Sequence, residues 1–422
     1  MMRRFTMGIS LLFLQTFLIF EGVNYVGQFG NALCLLITSL FLPICFFRQE
    51  KHSLALPNTN NEYKGQHALF FALLAGAFVC CSFEEVRKLF LAFPHPEERS
   101  DVLPQIEVQF DRFLRGEFPY KPLEDISYHP FPVYMPLHWF PMGLAKMFHM
   151  DMRWSAFWLY VPASMVFGYA IGKQSLATTY KAILCFFPSL PLWSYLLFGD
   201  ADLIITPEIL IAGYYLMLAS GLFLRNKTII LIGFIFCLLS RYTLVFWMPL
   251  FSILFLFSEG WGRTIRFFTV LMFAITVLYV LPFFSKDPSI FLTGIRYHNG
   301  CAVGEWQDGF YTATQGINFA PIIKKLAHND CVKGVAWNRY LQAFMLLLTL
   351  GISLLHWRKV YQKINGYDFA LAYLSIFLWV FYLFCPLTYR YYLVVLLTVN
   401  IVLLARYIIP SRSPKAADAI LE

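Results

Sequence analysis

Ionisable residues are scarce in this chain, and those that interrupt or border its apolar runs are the ones able to do chemistry. Asp101 follows Ser100 just ahead of an amphipathic stretch in which Pro104 suits a first helical turn. There Ile106, Phe110, Phe113 and Leu114 recur at helical spacing on one face, and Gly116 is placed to end the helix. A carboxylate in that position is a solvated helix-start cap or a base able to accept a proton. Gly199-Asp200-Ala201-Asp202 sets two carboxylates one residue apart between apolar runs, as a polar connector or as ligands for Mg²⁺ or Mn²⁺ with waters completing an oxygen shell. Arg241 interrupts the apolar stretch from Thr228 to Ser258. A charge within a span costs about 2.5–3.5 kcal/mol on insertion scales, so it faces a cavity, meets a partner such as a lipid phosphate, or snorkels to the interface. Arg390, in Cys385-Pro386-Leu387-Thr388-Tyr389-Arg390-Tyr391-Tyr392, clamps a phosphate or anchors a helix end.

A second polar stretch holds Arg296-Tyr297-His298-Asn299-Gly300 and Gly304-Glu305-Trp306-Gln307-Asp308-Gly309. Polar groups beside Trp306 and Tyr311 suit a sugar, whose faces stack on aromatics while its hydroxyls take hydrogen bonds; an ordinary folded loop has the same residues. His129, His138 and His149 lack metal-ligand spacing on one helix face, so no zinc site is assigned. Glu107, Asp111, Glu124 and Asp125 read as solvated carboxylates. Of nine cysteines, only Cys301 and Cys331 share a polar loop, and they can pair if it faces an oxidising compartment. There is no Gly-rich phosphate loop of the usual spacing, no Ser-His-Asp arrangement and no reactive-Cys motif.

The elements that must position these groups are transmembrane helices. Of 422 residues 59% are hydrophobic and 14% charged, with mean hydropathy +0.59, which excludes a soluble fold. The net charge of +8 is spread over short connections rather than one basic face, which argues against nucleic acid. A span needs about 20 mostly apolar residues. Twelve runs qualify within a range of 11 to 13: Phe5–Phe20, Asn31–Phe47, His67–Phe83, Trp154–Gly172, Tyr180–Phe198, Leu203–Leu224, Thr228–Ser240, Thr243–Ser258, Phe267–Phe284, Tyr340–Leu355, Tyr367–Cys385 and Tyr391–Leu404. With Arg3 and Arg4 inside, this count puts the Lys/Arg-bearing short loops inside too, and both termini in the cytoplasm. Pro130 to Met150 carries four prolines and reads as a broken interfacial segment rather than a thirteenth span. The expected fold is therefore an all-α polytopic membrane protein with two long extracytoplasmic loops carrying short surface helices. Its parts are an N-terminal hairpin and cytoplasmic loop (1–66), a core (67–284) containing the first exterior loop (84–153), a second exterior loop (285–339), and C-terminal helices with a cytoplasmic tail (340–422).

An Asp soon after a transmembrane helix, a surface helix, the turn Gly116-Glu117-Phe118-Pro119-Tyr120 and the re-entry Tyr128-His129-Pro130-Phe131-Pro132 together resemble the first exterior loop of the GT-C glycosyltransferase superfamily. The resemblance is greatest to its bacterial, polyprenyl-phosphate-sugar-dependent branch related to mannosyltransferases. It covers about fifty residues closely; Pro130-Phe131-Pro132 departs from the family's paired prolines, and the hairpin before His67 reads as an addition. The resemblance implies transfer of a sugar from a polyprenyl phosphate to an acceptor hydroxyl of a glycan, lipid or protein, with inversion, on the outer face of a bacterial inner membrane. It maps the catalytic base onto Asp101, a second acidic motif onto Asp200 and Asp202, and donor-phosphate contacts onto Arg241, Arg390 and Arg296. Tyr120, Tyr128, His129, His298 and Trp306 become candidates for binding sugar or acceptor. A transporter or flippase of a lipid-linked solute is the competing expectation; it requires charged or broken helices near mid-membrane.

Overall fold

The computed structural model describes residues 2–51, 66–94, 100–124, 130–199, 202–203, 206–308 and 317–409, and among them every regular element is helical. That is the expected outcome for a backbone in hydrocarbon, where each N–H and C=O must find its partner within the same segment. In chain order the helices are α1 (Met2–Phe20), α2 (Gly22–Lys51), α3 (Gln66–Cys80), α4 (Phe83–Ala92), α5 (Val102–Leu114), α6 (Pro136–Met147), α7 (Arg153–Gly172), α8 (Thr178–Phe186) and α9 (Leu190–Phe198). They continue with α10 (Glu208–Leu224), α11 (Lys227–Leu238), α12 (Met248–Glu259), α13 (Trp261–Ile275), α14 (Ile290–Asp308), α15 (Ala320–Leu326), α16 (Cys331–Val360), α17 (Gly366–Leu383) and α18 (Val394–Ile408).

A helix stands at each of the twelve apolar runs. Nine helical stretches among the described residues are long and apolar enough to cross a membrane; α10, α11 and α12, at 17, 12 and 12 residues, are shorter. The spans Gly366–Leu383 and Arg390–Ile408 are each 94% buried and form the centre of the bundle. Trp261–Phe284, at 17%, lies at its rim with an apolar surface turned outward. Without a hydrophobic drive between helices in lipid, close approach of small residues supplies the packing. At Gly168 of α7 a Cβ would come within 2.2 Å of the Phe71 carbonyl oxygen of α3, so only glycine allows that contact.

Two polar networks pin the bundle. Midway along their helices, Asn400 donates to Gln15 (2.9 Å), Ser375 donates to Asn400 (2.5 Å), and Gln15 donates to the Thr38 carbonyl (3.1 Å). The N-terminal hairpin is thus bonded into the central helices rather than appended to them. At the C-terminal end of α10, Asp368 receives Arg406 on both oxygens (2.7 and 2.9 Å) and Arg225 on one (3.1 Å). Beside it, Glu259 pairs with Lys227 (2.5 Å) and Arg263 (3.1 Å) and accepts from Tyr367 (2.7 Å).

The segment between α4 and α7 holds α5 against α6. Leu103, Ile106, Gln109 and Phe110 form the buried face of α5, while Phe113 and Leu114, expected on it, lie at its exposed rim. Gly116 takes φ +72°, the left-handed conformation that lets the chain turn away after the helix. Glu107 and Asp111 stay partly exposed, as expected, and in addition the Lys146 ammonium of α6 meets both at 2.7 Å and ties the two helices together. The segment expected to be broken is extended up to Met135 and helical over Pro136–Met147. Twelve residues rise only about 18 Å.

Candidate active site

Asp101 immediately precedes α5, yet its side chain makes no hydrogen bond to the N–H groups of the first turn; Ser100 Oγ accepts from Val102 N at 3.2 Å instead. Gln105, one turn along, donates its side-chain amide to Asp101 Oδ2. The carboxylate is thus aimed by α5 and is not spent on capping it. Facing it is α14, which presents Tyr297, Cys301 and Glu305 at intervals of four residues, one stripe of a helix. Each feels the Asp101 charge. Burial pushes the Glu305 carboxyl up, a hydrogen bond from Tyr389 (2.9 Å) opposes this, and the charges of Asp308 and Asp101 add to the rise.

Tyr134 joins this carboxylate pair to a cation. Burial and then the Asp101 charge push its phenol up, and Arg241 acts on it in the opposite sense. Arg241 sits where α11 stops, after Ser240, with its guanidinium 4.3 Å from the Tyr392 ring, 3.4 Å from the Tyr382 hydroxyl, and paired with Glu208 at the start of α10. His138 stacks on Tyr134 at 4.5 Å and keeps Nδ1 3.4 Å from the Ser240 carbonyl. Burial and the Arg241 charge hold this imidazole down to about 3, hence neutral. His298 of α14 is likewise held down to about 4 by burial, then by Arg339 and Arg241. The break after α11, the start of α10, the segment before α6 and α14 therefore converge on one polar cluster.

Polar atoms in this cluster are left without protein partners. Glu208 Oε2, His138 Nε2, Glu305 Oε2, Asn299 Oδ1 and Arg339 Nε are all shielded from solvent and make no hydrogen bond. A buried polar atom left unpaired costs about 1–3 kcal/mol. Such atoms also lie elsewhere, at Gln109, Ser220 and Trp379, and those near Arg241 and Glu305 can be met by water or by a hydrogen-bonding ligand. Donors and acceptors are mixed, as a hydroxyl-rich molecule requires.

The other candidates lie elsewhere or do other work. Arg390 donates Nε to Asp202 Oδ2 (3.0 Å), so a predicted phosphate ligand and a predicted metal ligand neutralise each other. Arg296 is exposed and makes no ion pair among the described residues. Tyr120 is a buried strut rather than a sugar contact: its hydroxyl donates to the Tyr134 carbonyl (3.1 Å) and accepts from Trp139 Nε1 (3.3 Å). Trp306, expected to stack on a sugar, has no exposed surface; it packs with Ala302, Ile323 and Val335 and donates to the Pro386 carbonyl (2.9 Å). Cys301 and Cys331 are both free thiols. Asp200, Tyr128 and His129 lie outside the described residues, among which no group of three or more His, Cys, Asp or Glu is gathered to hold an ion.

Sequence reasoning missed Glu208 and Tyr134. Glu208 was legible in principle, as an acidic residue inside the run Leu203–Leu224, where an ionisable group is a functional hypothesis by default. Tyr134 carried no such signal among 24 tyrosines. Compared with protein-family models, with curated proteins and with solved structures, the chain matches none of them.

Proposed function

We propose that this is a membrane glycosyltransferase that moves a sugar from a polyprenyl phosphate to an acceptor hydroxyl, with inversion, on the extracytoplasmic face. In this reading the chain crosses a bacterial inner membrane twelve times, with α10, α11 and α12 making the shorter crossings. The observation that carries the proposal is the nearness of both Asp101 and Arg241 to Tyr134, whose phenol feels both charges. An inverting transfer needs a base on the acceptor side and a cation on the leaving-group side of one reacting carbon. Asp101, aimed by Gln105, takes the proton as the acceptor oxygen bonds to the anomeric carbon. The bond from that carbon to the phosphate oxygen breaks, and its electron pair leaves with the phosphate. Arg241, with the Tyr382 and Tyr392 hydroxyls beside it, receives the charge; the unpaired atoms of Glu305, Asn299 and Arg339 are available to sugar hydroxyls.

A flippase would need ionisable groups at mid-membrane. Among the described residues the polar groups midway along α1, α17 and α18 are the neutral Gln15, Ser375 and Asn400, bonded through Asn400. The span Thr178–Phe198 is broken at Phe187–Ser189, so it is the lack of charge midway along these helices, and not of helix breaks, that favours the transferase. Transfer of radiolabelled sugar from polyprenyl phosphate by purified protein is expected to fall about 10²–10⁴-fold in Asp101→Asn. An unchanged rate in that variant would sink the proposal.

A further inference from the structure

Outside this cluster, an open cleft of about 580 Å³ lies between the segment joining α5 to α6 and the approach to α14. Phe118, Tyr120, Pro122 and Phe131 supply apolar lining, and Lys121, Lys286, Asp287 and Thr293 supply the polar atoms. The carboxylate is already engaged: Asp287 accepts from Ser289 N (2.9 Å) and Ser289 Oγ (2.6 Å). Neither lysine forms an ion pair among the described residues, and both are exposed. Arg112 fixes the wall that carries Lys121 by donating to the carbonyls of Lys121 (2.6 Å) and Pro122 (2.9 Å). The cleft is thus a held, apolar hollow with two unpaired ammonium groups.

Its surroundings belong at a bilayer surface. The rim span Trp261–Phe284 ends directly below it, and Phe291, Leu292 and Ile295 at the start of α14 expose large apolar side chains beside Thr293. The cleft also lies close to the polar cluster around Asp101. Thr293 lines the cleft, and Tyr297, one turn farther along α14 or about 6 Å, already feels Asp101. Tyr120 forms the partition, with its ring on the cleft and its hydroxyl on the Tyr134 carbonyl.

We infer that this cleft seats the headgroup of an anionic lipid, its phosphate on Lys121 and Lys286 and its first methylenes against Phe118 and Phe131. On the transferase reading, from which this part follows, the lipid is the acceptor: its hydroxyl-bearing end reaches past Tyr120 to Asp101, while the donor phosphate goes to Arg241. Charge complementarity selects the occupant: the lining sets the two ammonium groups of Lys121 and Lys286 against the one carboxylate of Asp287, a net positive charge that a neutral glycan would not answer, and a soluble peptide would leave the apolar lining unused.

The test is lipid retention by the full chain, purified from detergent containing equal phosphatidylglycerol and phosphatidylcholine and read by native mass spectrometry. Wild type is expected to keep phosphatidylglycerol selectively. Lys121→Gln with Lys286→Gln is expected to weaken that retention about 30-fold, roughly five-fold for each ammonium removed. Both side chains are exposed, and an unchanged melting temperature checks that the double variant is folded. Arg241→Ala is expected to retain the lipid. Equal retention of both lipids by wild type, or undiminished retention by the double variant, overturns the inference. Loss of retention in Arg241→Ala alone also overturns it, by moving the lipid into the polar cluster. Lysine-dependent retention in a protein that transfers no sugar would uphold the lipid site and count against the transferase.

Discussion

The two ends of α10 carry charge clusters of opposite character. At its C-terminal end both oxygens of Asp368 are taken, by Arg406 and Arg225, and Glu259 is shared among Lys227, Arg263 and Tyr367. At its N-terminal end, about 25 Å away along 17 residues, Glu208 keeps one oxygen unpaired beside Arg241. His138, Glu305, Asn299 and Arg339 are incomplete there too. Charge in an apolar bundle is expensive at both ends. One end offsets the expense with its own partners; the other keeps hydrogen-bonding capacity that no described residue uses.

That contrast can be broken by experiment. The largest effect is expected at the satisfied end: Asp368→Ala strands the buried Arg406 and should cost about 3–5 kcal/mol of stability, read as a lower melting temperature in detergent, with activity per folded molecule retained. At the incomplete end the reverse is expected. Arg241→Leu should lower the rate of sugar transfer about 10²–10³-fold and shift the melting temperature less, because Glu208, left without its partner, can be neutralised by taking up a proton, which Arg406 cannot do by losing one. Equal stability losses at both ends would remove the distinction. The smallest effect is expected at His298, held neutral down to about 4 against an ordinary 6.5. Its depressed value makes the stability fully present above about 6.5 and progressively lost as pH falls toward 4, because the unfolded chain takes up the proton first. His298→Gln should flatten the acid decline in stability, read by melting temperature, by at most about 3 kcal/mol between pH 6.5 and 4.

The same contrast explains what was legible in the sequence. Apolar runs announce helices because hydrocarbon leaves the backbone no other solution, and all twelve coincide with one. Asp101 and Arg241 were legible because charges beside apolar runs are few. Their relation was not, since it passes through Tyr134 and α14, which reach the site from 33 and about 200 residues along the chain from Asp101. Aromatic residues misled in the other direction. Tyr120 and Trp306 have the types that stack on sugars, but an aromatic ring with a polar handle serves equally as a core strut, and burial decides between the two. Lys146 shows the same limit for charge: its partners Glu107 and Asp111 are 39 and 35 residues upstream, and only the packing of α5 on α6 reveals them.

The bond between Asn400 and Gln15 joins residues separated by 385 positions. During synthesis α1 therefore enters the bilayer long before the helix that pairs its Gln15 side-chain oxygen has been translated, and a chain released before Val394 would leave that oxygen without Asn400, with only the bond from Gln15 to the Thr38 carbonyl in place. Arg390, at the entrance to α18, must likewise arrive before Asp202 is neutralised. Assembly is consequently gated by the final helix, and truncated translation products would reach membrane proteases with polar groups still unpaired and never as working fragments.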